Sequence, residues 1–123
     1  MKLDMINFLE KLIGWLTRWK TGLEKREAEL ELGAQRSSRW RSVRNEYLRT
    51  HKVCAVCGGD NDLDVHHRIP FHKDPSLELE PNNFITLCTP HHFLVGHLMS
   101  WRSWNSEVDR DASDWRLKII SRP

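Results

Sequence analysis

The sequence predicts an α+β fold, a small metal-stapled centre flanked by helices at both ends. Three observations lead there. Apolar residues recur at helical spacing over residues 5–23, 40–48 and 108–119. Between the second and third of these stretches lie a short alternation through Leu63 and Val65 and a strand-like phrase, FITLC, both bordered by turn formers. Inside the same central stretch sit two ligand pairs, C-x-x-C at Cys54 and Cys57 and C-x-x-H at Cys88 and His91.

Each element has its own justification. Met5, Leu9, Leu12, Leu16, Trp19 and Leu23 make the stripe of a first helix, which Ile6, Phe8, Ile13 and Trp15 widen. So broad an apolar face has to be covered. From 24 to 31 the residues are mostly charged, so the helix continues in a more solvated form until Gly33 offers a stop. Ser37 or Ser38 is expected to cap a second helix carrying Trp40, Val43, Tyr47 and Leu48. VCAVCGGDNDLDV reads as a turn-rich knuckle with a two-stranded ribbon on its far side, and HKDPSLELEPNN as loop. FITLCTPHHFLVGHL begins as a strand and turns helical after Pro90. Val108, Ala112, Trp115 and Ile119 mark a short closing helix. The expected division is an amphipathic helix over 1–35 and a compact domain over 36–123.

At 123 residues the chain has room for one core and an appendage. Apolar residues are 39% and charged residues 29%, an ordinary balance for a soluble domain. No run is long enough to span a bilayer. Only Lys2 is an early positive charge, and Glu10 and Lys11 interrupt the first apolar stretch, so it does not read as a signal peptide. The expected setting is the cytoplasm, where three cysteines serve as ligands or free thiols. The net charge of +2 hides a cluster: Arg36, Arg39, Arg41, Arg44, Arg49 and Lys52 face a single nearby acid, Glu46. Such a cluster suits a polyanion, although charge runs are more often solvated helix faces.

Two-residue spacing lets both members of a pair turn inward on one tetrahedral ion, so Cys54, Cys57, Cys88 and His91 are expected to hold a structural Zn²⁺. Gly58 and Gly59 permit the tight turn. A redox C-x-x-C would leave Cys88 and His91 unexplained. Zinc would also supply folding free energy to a thin core.

The phrases DVHHRIP, NNFITLC and HHFLVGHL, within a span from Cys54 to about Leu98, resemble the HNH nucleases. Their ββα-metal fold holds one divalent ion between a β-ribbon and a helix. The tail WRSWNSEVDRDASDW is similar to that of small bacterial and phage members. The resemblance implies an endonuclease that hydrolyses DNA phosphodiester bonds. His66 would ligate the catalytic metal (Mg²⁺, Mn²⁺, Co²⁺ or Ni²⁺) and His92 would be its second protein ligand. His67 would be the general base, with the amide of Asn83 holding its imidazole. Neighbouring residues of a strand point to opposite faces, so one histidine can bind metal while the other addresses water. His91 stands where the family has cysteine, so His91 and His92 could exchange roles. His97 is a third ligand, a phosphate contact or a core histidine, the last being the commoner fate. His51 and His72 read as surface residues. Arg36, Arg39, Arg41, Arg44 and Arg68 are the expected DNA contacts.

The first helix lies outside that resemblance. It could pack on the domain or on a copy of itself, dock a protein partner, or lie on a membrane surface. Acids at Asp4, Glu10 and Glu24 argue against the membrane, and self-association is preferred. The functional alternative to a nuclease is a zinc-stabilised nucleic-acid-binding or adaptor module without catalysis.

Overall fold

The structure, a computed structural model, describes residues 2–32 and 36–122. It is mixed helix and sheet, with four helices and one two-stranded antiparallel sheet among the described residues. Helix α1 spans Lys2–Glu31 as one unbroken rod; Gly33, its expected stop, lies outside the described residues. Every large apolar side chain on α1 up to Leu23 is exposed, and Ala28 is its buried residue. Only the last turns dock. Arg102 clasps the Glu31 carboxylate through two bonds of 2.7 and 2.8 Å, and Lys25 Nζ sits 5.0 Å from the centre of the Trp101 ring.

Helix α2 spans Trp40–Thr50. Its cap residue is Arg39, with no side-chain cap bond, which corrects the expectation for Ser37 or Ser38. Ser37 instead shapes the entering turn, its hydroxyl accepting from Arg39 N at 3.2 Å and its carbonyl from Trp40 N at 3.0 Å. Two side chains bind α2 to the sheet. Tyr47 donates to the Phe84 carbonyl at 3.1 Å, and Arg44 to the Leu63 carbonyl at 3.0 Å.

The sheet pairs β1 (Leu63–His67) with β2 (Phe84–Cys88), so that Val65 faces Thr86 and His67 faces Phe84. The alternation at Leu63 and Val65 therefore pairs with FITLC. All five residues of β2 are buried, as a continuous apolar run dictates. The knuckle joins its edge through Ala55 N and the Thr86 carbonyl at 2.9 Å. The loop between the strands makes 3-10 turns at Pro75–Leu77 and Pro81–Asn83.

After β2 comes a single helical turn, α3 (Thr89–His91), with Pro90 in the first turn where its missing N–H is no loss. It passes into a π-helical turn, His92–Gly96, and α4 (Val108–Ile120) closes the fold. Cys54, Val56, Ile85, Leu87, Val95, Val108 and Ala112 form the core. So few large apolar groups make a thin core, which puts weight on the cysteine cluster beside it. No helix among the described residues is long and apolar enough to cross a membrane.

Candidate metal centres and active-site pocket

Two ligand clusters lie on either side of the adjacent pair His91 and His92. In the first, the ligand atoms of Cys54, Cys57, Cys88 and His91 all fall within 4.8 Å of one another, so the four could hold a metal ion. Cys57 Sγ is 4.0 Å from Cys88 Sγ, and His91 Nδ1 is 3.1 Å from Cys88 Sγ and 3.6 Å from Cys54 Sγ. A tetrahedron with ~2.3 Å arms to sulfur has edges of roughly 3.8 Å, the same scale. The knuckle shapes this locally. Gly58 takes a left-handed φ of 71°, and the Val56 and Gly59 N–H groups point at Cys54 and Cys57 Sγ, both at 3.4 Å. Burial, with the charges of Cys54 and Cys57 adding, pushes the Cys88 thiol up to about 12. Sulfurs gathered this closely oppose one another's ionisation, and a divalent cation removes that opposition.

The second cluster is His66, His92 and His97, whose ligand nitrogens also lie within 4.8 Å of one another. Their ring centroids form a near-equilateral triangle of 4.9, 4.9 and 5.1 Å. Hydrogen bonds select which nitrogen is free. His92 Nδ1–H donates to Asp64 Oδ2 at 3.2 Å, and His97 Nδ1–H to the Ser103 carbonyl at 2.7 Å, which leaves Nε2 in both. His66 Nε2 is buried without a hydrogen-bond partner among the described residues. A buried, unpaired ring nitrogen is costly unless something outside the polypeptide satisfies it. Burial also depresses the pKa of all three histidines, that of His97 to about 3, so they stand neutral with lone pairs available. Burial raises the Asp64 carboxyl, but the His92 bond and the charges of Lys25 and Arg44 bring it down to about 2. Asp64 therefore orients His92 as a carboxylate orients a metal-bound imidazole.

The backbone explains the convergence. In an α-helix, residues five apart point about 140° away from each other. Here His97 N donates to the His92 carbonyl at 3.1 Å, an i→i+5 bond, and the π turn stacks the two side chains on one face. His91 lies with the cysteines and His92 with the histidines. His97, expected to be a core histidine by default, belongs to the cluster.

His67 lies against the same pocket, its ring 4.5 Å from that of Trp40 and 5.3 Å from that of Phe84. Its Nε2–H donates to the Glu78 carbonyl at 2.8 Å, so Nδ1 carries the lone pair. Burial holds its pKa down to about 4. Asn83 does not touch the imidazole, a correction. Its amide closes on Ile69 N and O, both at 2.9 Å, and on the Leu77 carbonyl at 3.3 Å. Asn83 thus pins both ends of the loop whose Glu78 carbonyl fixes His67.

Other expectations shift as well. The boundary at residue 35 does not separate α1 from the site, because Lys25, Glu29 and Leu32 line the pocket together with the histidines. His72, half-buried, lines it at the surface, whereas His51 is exposed and stacked on Tyr47. Arg68 is engaged by Asp109 at 2.9 Å and by the Asn82 and Phe84 carbonyls, and Arg44 by Leu63 and Asp64. Both buttress the sheet. Arg36 lies over Trp40 and pairs with Glu29 at 3.3 Å, and Arg39 and Arg41 are exposed. Sequence reasoning missed Asp64, although it lies two residues before His66 and so on the same strand face. It also missed Lys25, Gly96, Trp101 and Ser103, whose approach depends on tertiary packing. Searches for similarity to family models, curated proteins and solved structures found no match to the chain.

Proposed function

We propose that this protein is a metal-dependent endonuclease of the HNH type, cutting DNA phosphodiester bonds on a zinc-stapled ββα-metal module. The observation that carries the reading is one pocket holding three convergent histidines and, beside them, a fourth whose tautomer is fixed. A module that only bound nucleic acid would have no use for His67 held with Nδ1 free.

In this reading Cys54, Cys57, Cys88 and His91 hold the structural zinc, and His66, His92 and His97 the catalytic ion. The all-imidazole donor set suits Ni²⁺, Co²⁺ or Zn²⁺ better than Mg²⁺, which prefers oxygen. Such an ion, held there, would supply Lewis-acid stabilisation of the phosphate and leaving 3′-oxygen and lower the pKa of a bound water. His67 needs only modest basicity to take the proton on Nδ1, and Trp40, Phe84 and the Glu78 carbonyl hold the ring for that transfer. Asn83 acts as a positioning residue through the loop. Lys25 and Arg36, offset in part by Glu29, bring positive charge to the α1 wall and attract the phosphate. Exposed Arg39 and Arg41 extend that attraction to the flanking backbone.

The test is cleavage of supercoiled plasmid by protein cleared of loosely held metal with EDTA, then supplied with one divalent ion at a time. Cutting restored best by Ni²⁺ or Co²⁺, and abolished by chelator, is the expected result. DNA binding with no cutting under any metal would overturn the reading in favour of a binding module.

A further inference from the structure

We propose that residues 5–23 of α1 assemble with the same segment of a second copy of this chain. Met5, Leu9, Leu12, Leu16, Trp19 and Leu23 recur in steps of four and three residues. That is the 3.5-residue period of a left-handed coiled-coil seam, with leucine at the one heptad position that recurs every two turns, Leu9, Leu16 and Leu23. The whole seam is open, from 38% exposed at Leu12 to 59% at Met5. Ile6 and Ile13 on one flank and Phe8 and Trp15 on the other widen it, and all four are exposed. Asp4, Glu10, Lys11 and Arg18 fall on the opposite face.

Area and charge favour a second copy over other occupants. Ten large apolar side chains, three of them aromatic and each roughly half open, present on the order of 1,000 Å² of mostly apolar surface. A standard protein interface needs only ~800 Å² per partner. Helices in proteins draw most of their stability from packing an apolar face, so an identical helix laid along the seam supplies what the rest of the chain does not. Over residues 2–24, Lys2, Lys11, Arg18 and Lys20 nearly balance Asp4, Glu10 and Glu24, which gives little pull toward an anionic bilayer. Because the last turns of α1 dock beside the histidine pocket, assembly would also bring two pockets into one particle.

The experiment is sedimentation velocity with light scattering on the full chain across a concentration series, with far-UV circular dichroism. Wild type should run as a defined oligomer. Leu9→Lys with Leu16→Lys should reduce the mass to that of one chain and lose helical signal, while Thr17→Lys on the outer face should leave both unchanged. A monomeric wild type at every concentration overturns the proposal, as does an oligomer that survives the paired seam substitution. So does a wild-type monomer captured by vesicles of phosphatidylcholine and phosphatidylglycerol, which would make the face a lipid surface. The readout is mass, so it stands or falls separately from nuclease activity.

Discussion

Alanine at Gly96 should strip the histidine cluster of most of its metal affinity while leaving the fold in place. A Cβ built on Gly96 would sit 3.0 Å from both Cε1 and Nδ1 of His66 and 3.3 Å from its Cγ. The His66 ring cannot simply swing away, because the rings of His92 and His97 stand 5.1 and 4.9 Å from it and the residue is 2% exposed. Gly96 has no left-handed φ, so alanine meets no backbone penalty there. In a helical turn the change even favours the fold by ~0.5–1 kcal/mol. Against that, relieving the contact moves the ring by about 0.5 Å, which is the tolerance of a functional constellation. Displacing a ligand on that scale compares with deleting a partner that orients one, ~10- to 100-fold in affinity. That is about 1.4–2.7 kcal/mol at the metal. The backbone gain acts on the fold, whereas the clash falls on the ring that would hold the metal. Calorimetric titration with Ni²⁺ or Co²⁺, on protein whose cysteine centre is already loaded, reads the affinity, and thermal melts read the fold. Unchanged affinity in a folded Gly96→Ala protein would refute the reasoning, because His66 would then not be a ligand held against that backbone.

The remaining predictions concern the other groups of the two centres. Cys57→Ser should lose the tightly held zinc and unfold cooperatively at far lower temperature, since zinc binding is part of the folding free energy; a variant that keeps both its zinc and its melting point defeats that assignment. His67→Ala should still bind DNA and the catalytic metal but cut ~10²- to 10⁴-fold more slowly in single-turnover assays. His66→Ala should lose metal affinity first, so equal loss of metal in the two variants means the roles are assigned wrongly. Acid should destabilise the fold through His67. Its folded pKa of about 4 lies below the ordinary 6.5, so its contribution is complete above pH 6.5 and disappears as pH falls toward 4. That contribution is about 3 kcal/mol at full extent. Urea unfolding at pH 7 and pH 5 should therefore show wild type losing about 2 kcal/mol more than His67→Gln, and parallel losses would reject the claim.

What was legible in the sequence was whatever short spacing alone determines. A C-x-x-C turn brings its sulfurs together whatever surrounds it, so the set Cys54, Cys57, Cys88 and His91 could be read from spacing before any packing was known. The helices at 5–23, 40–48 and 108–119 followed from periodicity, and each falls within an observed helix. The strand FITLC was readable as an apolar run. The ribbon's partner choice was not, because the knuckle, the alternation at Leu63 and the later strand were all candidates until the register was seen. The arginines show a related limit. Charge density shows that cations are present, but not that Arg44 and Arg68 turn inward to carbonyls and carboxylates of the sheet.

The histidine centre marks where periodic reasoning gives out. His97 was discounted because a lone histidine on an apolar stretch is more often a core residue, and no residue pattern in HFLVGH announces a π turn. The turn is closed by contacts from elsewhere. Asn105 N donates to the Gly96 carbonyl at 2.9 Å, and the Asn105 amide donates to Val95 O at 3.0 Å and to Asp111 at 2.8 Å. Asp111 lies in α4, so the closing helix holds the wide turn that lets His92 and His97 face one point. Gly96 completes the device by leaving room for the His66 ring. From the other side, Arg102 fastens α1 through Glu31, and Trp101 packs against His92 and His97 at 5.3 and 4.8 Å with Lys25 over its ring. The ligands are thus local to a short central stretch, but their geometry depends on both ends of the chain. A fragment cut to residues 54–98 would keep every ligand of both clusters yet lose the Asn105, Asp111 and Trp101 contacts that aim the second one, so the pocket's precision resides outside the motif that reveals it.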